Sequence, residues 1–274
     1  MRRIIWIFVI LMAFTACRDK ELDMTVLNKS LFAGTDFTEI NISDAWEVNI
    51  IQDDQNPGVE LEYSAFLEDY LNVKLTGNVL NIGFNQNLNL PYNTVNKAVI
   101  HTKTMDKLIV NEAAKVVLNG DFSGEALEIQ LDGTSVCRGG SFTGNADIHL
   151  EDVSQVVDFV INGSHCDLEI KENATFKGNL TADSVTVVMN DGARMITYGG
   201  QAQCIRLTLS ETSMLNTLNT PVDEALVEVT NESQATLHVN TLLKGTLEGA
   251  SLLYYKGHPT VEMQCDSTSM FIPL

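Results

Sequence analysis

The stretch LEIQLDGTSVC, residues 127–137, decides the fold. Leu127, Ile129 and Leu131 alternate with Glu128 and Gln130, the period of a strand with one buried face. Asp132-Gly133 then supplies a tight turn, and Ser135 and Val136-Cys137 resume the chain beyond it.

The same frame recurs. With Leu131 as origin, apolar or small residues stand two and four positions before it and Ser135 stands four after. Equivalent origins are Val110, Leu150, Ile170, Met189, Leu209, Val229, Leu247 and Cys265. Successive origins lie 21, 19, 20, 19, 20, 20, 18 and 18 residues apart. Six residues past each origin comes a second row: Val116, Cys137, Val156, Phe176, Met195, Leu215, Ala235, Leu253 and Phe271.

A period of two within each unit means strands; a period near twenty between units means stacking of like units. No unit of that size can bury its own apolar face, so its neighbours must close the core. The expected fold is all-β, a parallel β-helix or solenoid with rungs of about twenty residues. The small residue four past each origin marks a corner. Asp, Asn and Gly before it tolerate left-handed backbone, and their carboxylates can accept amide hydrogens.

The N-terminal half is less regular. FTEINISDAWEVNIIQ (37–52) and VELEY (59–63) alternate, LNVKLTGNVLNIGF (71–84) reads as two strands about TGN, and 65–71 suits a short helix. Residues 85–98 read as a polar loop. The expected organisation is residues 1–16 a signal peptide, 17–33 a lipidated cysteine and tether, 34–107 irregular first rungs that cap an edge, and 108–274 the regular solenoid.

MRRIIWIFVILMAFTAC begins with Arg2-Arg3, runs apolar from Ile4 to Phe14, and ends in small residues before Cys17. That order is a secretory signal, and its apolar run is too short to span a bilayer. A cysteine directly after the small residues resembles the lipobox of bacterial lipoproteins, with Phe14 where Leu, Val or Ile is usual. That resemblance makes Cys17 the lipid-attachment residue and the membrane a partner. RDKELD after Cys17 resembles the surface-export signal of Bacteroidetes-type lipoproteins. The expected location is the outer membrane, on its periplasmic or cell-surface side.

Net charge is −19, and removal of residues 1–16 leaves 15 basic against 36 acidic residues, net −21. So acidic a chain repels nucleic acid and anionic headgroups, and no nucleic-acid partner is expected.

FTEINISDAWEVNIIQ, GNVLNIGF and the recurring turns DGTS, DGAR and EGAS resemble the family described as putative auto-transporter adhesins with a head GIN domain, over roughly residues 34–274. The resemblance implies a right-handed β-helix and a binding role. The corners Glu151-Asp152-Val153 and Ser210-Glu211-Thr212 lack the glycine typical of that family.

No catalytic constellation is legible: GxSxG, a P-loop and GxGxxG are absent from the sequence. Cys137, Cys166 and Cys265 fall in inward rows and read as small buried hydrophobes. Cys166 and Cys204 stand about two rungs apart, beyond disulfide reach, so free thiols are expected. His149 beside Asp167 or Glu169 is the one pairing with metal-binding potential, and a solvated face is the preferred reading. Asp132, Glu151 and Asp152 at the corners are calcium candidates, again against a preferred reading of solvated charge. No cofactor is expected. Trp46 and an exposed Tyr254-Tyr255 pair read as packing residues at the two ends of the coil, with sugar stacking as the other use.

The expected function is a non-enzymatic cell-envelope lipoprotein, an adhesin or binding scaffold for an unidentified protein or glycan. The alternatives are a glycan-active lyase or glycosidase on a β-helix, and a structural component that forms homo-oligomers.

Overall fold

A computed structural model describes residues 22–274; Cys17 and the expected signal peptide lie outside the described residues. The chain is a parallel β-solenoid, and its coils stack in the register that the repeat predicts. On one side Val110 pairs with Leu131, Leu131 with Leu150, Leu150 with Ile170, and Ile170 with Met189. The file continues through Leu209, Val229 and Leu247 to Cys265. On the next side Val116, Cys137, Val156, Phe176, Met195, Leu215, Ala235, Leu253 and Phe271 pair in the same succession. All of these are buried except Cys265 and Phe271.

A third side closes the coil. Phe122 pairs with Phe142, Phe142 with Ile161 and Ile161 with Leu180, and all are buried. Ala202, Val222 and Val239 continue that side. The long strands Asp121–Leu131, Ser141–Leu150, Thr175–Met189 and Arg194–Leu209 each run across a corner from this side onto the first. Bulges there interrupt the alternation of side chains, for instance between Ser123 and Ala126, and hide the side from a period-two reading.

The corners explain the small residue. Ala114, Ser135, Ser154, Ala174, Ala193, Ser213, Ser233 and Ser251 are fully buried, one above another. The backbone just before them is left-handed at Glu112, Gly133, Asp152, Glu172, Asp191, Glu211, Thr212, Asn231, Glu232 and Gly249. Glu and Thr therefore occupy a conformation that costs a non-glycine residue about 1–2 kcal/mol. Carboxylates compensate across coils. Asp132 Oδ1 accepts from the Glu112 amide at 3.1 Å, Asp152 Oδ2 from Gly133 at 3.0 Å, and Asp266 Oδ2 from Gly249 at 2.8 Å. The Gly249 amide foremost, then Ser269 and Thr268, hold the Asp266 carboxyl well below the usual carboxylate range.

Stacked corner acids also oppose one another. A hydrogen bond and like charge from Asp152 push the Glu172 carboxyl above its ordinary value, and Asp191 does the same to Glu211. The folded coil thus holds these protons better than the unfolded chain. The associated stability is present below the ordinary glutamate range and is lost as pH rises through the raised value. Glu172→Gln is expected to raise the melting temperature at neutral pH. Its advantage should disappear on acidification to where wild-type Glu172 is protonated, measured by paired thermal melts across that range.

At the N-terminal end chain order and spatial order part company. Glu39–Ile42 and Glu47–Gln52 form the coil directly against Lys107–Val110 and Lys115–Asn119. Val79–Phe84 and Asn96–Thr102 lie outside that coil, although they come later in the chain. Antiparallel strands then cover the end: Leu71–Thr76 on Val79–Phe84, Gly58–Ser64 on Asn96–Thr102, and Val26–Leu31 on Gly58–Ser64. Part of the expected tether, 17–33, is therefore a strand of the fold, because the outer edge of Gly58–Ser64 offers a full row of backbone partners. Ala65–Tyr70 is a 3₁₀ helix that buries Leu67, and Leu71–Thr76 turns back into Val79–Phe84 through Gly77-Asn78.

Among the described residues, no coil lies above Thr260–Cys265 and Met270–Pro273. Cys265 is accordingly exposed, which corrects its reading as a buried hydrophobe; the row is inward, but nothing covers its last member. Cys137 and Cys166 are buried and Cys204 is half-buried, and all four described cysteines are free thiols. Burial pushes the Cys137 thiol up to about 12.

Candidate binding surface

A hollow lies on the outward face of the N-terminal cap, where five strands present alternate side chains to solvent. In VELEY the buried residues are Val59, Leu61 and Tyr63, so Glu60 and Glu62 must point out. Register then assembles a row that no linear stretch of sequence contains. Glu62 stands opposite Lys97, Lys97 opposite Glu47, and Glu47 opposite Lys115. The charges alternate along the row. The neighbouring row runs Glu60, Val99, Asn49, Val117. Together they line a groove of about 510 Å³.

Its charges are largely unspent. Lys115 Nζ and Glu47 are 4.0 Å apart, while Lys97, Glu60 and Glu62 make no ion pair within that distance among the described residues. Opposite charges on adjoining strands that are unpaired or at the limit of ion-pair distance remain available to a zwitterionic or polar ligand, and Val99 and Val117 give it an apolar floor. Sequence reasoning missed this surface. The outward positions of each strand were readable, but the pairing of 47 with 97 and 115 depends on the out-of-order coils.

Farther along, the first side carries a charged network. His149 Nε2 is 3.0 Å from Asp147 and its Nδ1 is 3.1 Å from Glu169. Lys171 Nζ lies 2.8 Å from Glu169 and 3.2 Å from Glu151. The Lys171 hydrogen bond, with His149 behind it, holds the Glu169 carboxyl below its usual range. Asp167 turns instead to His165 at 3.0 Å. Of the calcium candidates, Asp132 and Asp152 spend carboxylate oxygens on backbone amides and Glu151 pairs with Lys171. Asp132 and Glu151 share the wall of a shallow hollow with Gln130 and His149. Among the described residues no three His, Cys, Asp or Glu side chains converge on a metal-sized site.

Trp46 is fully buried, with its ring 5.5 Å from that of Phe84. Tyr254 and Tyr255 are half-buried rather than exposed, because Tyr255 packs beside Phe271, ring centres 6.3 Å apart. Sugar stacking at Trp46 is thereby closed off.

Residues 36–259 match the family described as "Putative auto-transporter adhesin, head GIN domain". The fold is similar to that of a "putative adhesin" from Parabacteroides merdae, at TM-score 0.70 and 17% identity, over 91% of this chain and 96% of that one. A second "putative adhesin", from Parabacteroides distasonis, gives 0.68 and 18%, over 91% and 98%. A "Putative lipid binding protein" from the same species gives 0.69 and 12%, over 92% and 98%. The chain has no match among curated proteins.

Proposed function

The chain belongs to the auto-transporter adhesin family with a head GIN domain, and from that premise we propose that it is a non-enzymatic binding scaffold of the cell envelope. Lipid on Cys17 holds it to the outer membrane, which sets the N-terminal cap groove at the anchored end with the solenoid stacked beyond it. The ligand is a polar protein segment or glycan that engages the alternating row Glu62, Lys97, Glu47, Lys115. The observation that carries this reading is the groove itself: about 510 Å³, lined by a row of alternating charges in which Lys115 and Glu47 meet at 4.0 Å while Lys97, Glu60 and Glu62 make no ion pair among the described residues.

A glycan and matrix-protein array probed with the protein should return a ligand whose binding weakens with salt. Glu60→Lys with Glu62→Lys should weaken it by about tenfold or more, the loss of roughly 1.4 kcal/mol. Lys177→Glu, on the outward face of the same side three coils along, should leave it unchanged. Equal binding by all three proteins would sink the groove as the site. Metabolic labelling with a fatty acid tests the anchor separately, and Cys17→Ala should abolish the label.

A further inference from the structure

The two ends of the solenoid are unlike. The N-terminal end is closed by antiparallel strands whose outermost member, Val26–Leu31, leaves mostly exposed side chains and carries Lys29. At the C-terminal end no described coil covers Thr260–Cys265 or Met270–Pro273. Val261 is 36% and Phe271 37% exposed, Met263 is half-buried, and all three point into the core rows that the next coil would have covered.

Thr260–Cys265 also has an open edge with a definite pattern. The Asp266 amide donates to Leu247 of the preceding coil at 3.1 Å. Alternation along a strand therefore turns the even-numbered groups of Thr260–Cys265 toward that coil. The N–H and C=O of Val261, Met263 and Cys265 are left facing outward. On the adjacent side, Met270 and Leu274 donate inward to Ser251 and Tyr255. Pro273 then falls where an outward N–H would be, so Met270–Pro273 cannot extend a ladder there.

We propose that the open edge Thr260–Cys265 is a docking surface for a second copy of this chain, joined end to end by antiparallel pairing about a two-fold axis through Met263. Charge selects that register. Pairing of outward groups allows the axis to pass through residue 262, 263 or 264. At 262, Glu262 would oppose its own copy; at 264, Glu262 would oppose Asp266. Like charges directly opposite are destabilising. At 263, Glu262 meets Gln264, Thr260 meets Asp266, Val261 meets Cys265, and Met263 meets Met263. Every outward N–H and C=O of the strand finds a partner, and the bare ends of the core rows are covered. The two-fold arrangement is self-complementary and closes at two copies. Head-to-tail stacking would have to use Val26–Leu31 at the other end, a strand whose side chains are mostly exposed and which carries Lys29.

The test uses the full chain in native membranes. Val261→Cys places a thiol opposite Cys265 of the second copy at about 5.5 Å between Cα atoms, within disulfide range. Oxidation should give a species of twice the chain mass on a non-reducing gel, with the 261–265 link found by peptide mapping. Adding Cys265→Ser should remove it, and Glu262→Cys should give none. Met263→Asp, which sets two carboxylates face to face, should halve the sedimenting mass in detergent while leaving the thermal melt cooperative. A chain that sediments as a monomer and yields no 261–265 link overturns the proposal. So does a dimer that survives Met263→Asp, or a link mapped to another pair.

Discussion

Phe176→Ala lowers the stability of the solenoid by about 3–5 kcal/mol, read as a fall in the urea midpoint. Phe176 is fully buried in mid-stack, between Val156 of one coil and Met195 of the next. Loss of its ring leaves a cavity that neither neighbour can fill, since both are held in the ladder on either side. Phe271 belongs to the same file but at the uncovered end, so Phe271→Ala should shift the midpoint far less. Equal effects at the two positions would contradict a stack in which each coil covers the last. Assembly through the C-terminal end would enlarge the Phe271 effect at high protein concentration only, which separates the two ideas.

Gly200→Ala should be nearly as damaging. Gly200 has φ +110°, and a Cβ built there would sit 1.8 Å from the carbonyl oxygen of Leu180 in the preceding coil. The backbone conformation alone costs an alanine about 1–3 kcal/mol, and the collision forces two coils apart besides. Gly34→Ala is the control. It too has positive φ, +72°, but nothing lies within 4 Å of the added carbon. A purely conformational cost predicts similar losses for both. Contact between coils predicts a much larger loss at Gly200, seen as a lower melting temperature and earlier exposure to protease. A Gly200→Ala protein as stable as Gly34→Ala would argue against the close approach.

Reading of the core from sequence succeeded where residues repeat. Leu131, Leu150 and Ile170 each sit in an alternating strand with a small corner residue four places on, and each coil meets another of its own kind. It failed where the repeat is interrupted. Phe122 and Phe142 form a buried side of their own, yet Gly124 and Gly144 follow them and break the alternation that would have marked it. Cys265 shows the other limit: its place in the frame is right and its burial is not, because burial depends on a covering neighbour that its coil lacks among the described residues. The candidate site was less legible than the core. Outward residues are under no common packing constraint, so Glu47, Lys97 and Lys115 carry no period that a reader could follow.

Sequence by itself determined that coils of about twenty residues stack in register, which residues file through the core, and where the corners fall. It could do so because an inward row repeated nine times leaves the same apolar signature each time. Only the tertiary structure decided that residues 79–102 lie outside residues 39–52, that Val26–Leu31 completes the cap, and that one end of the stack stays open. Those outcomes rest on which strand edges meet. Backbone hydrogen bonds join edges almost without regard to side-chain identity, so the choice leaves little trace in the order of the residues.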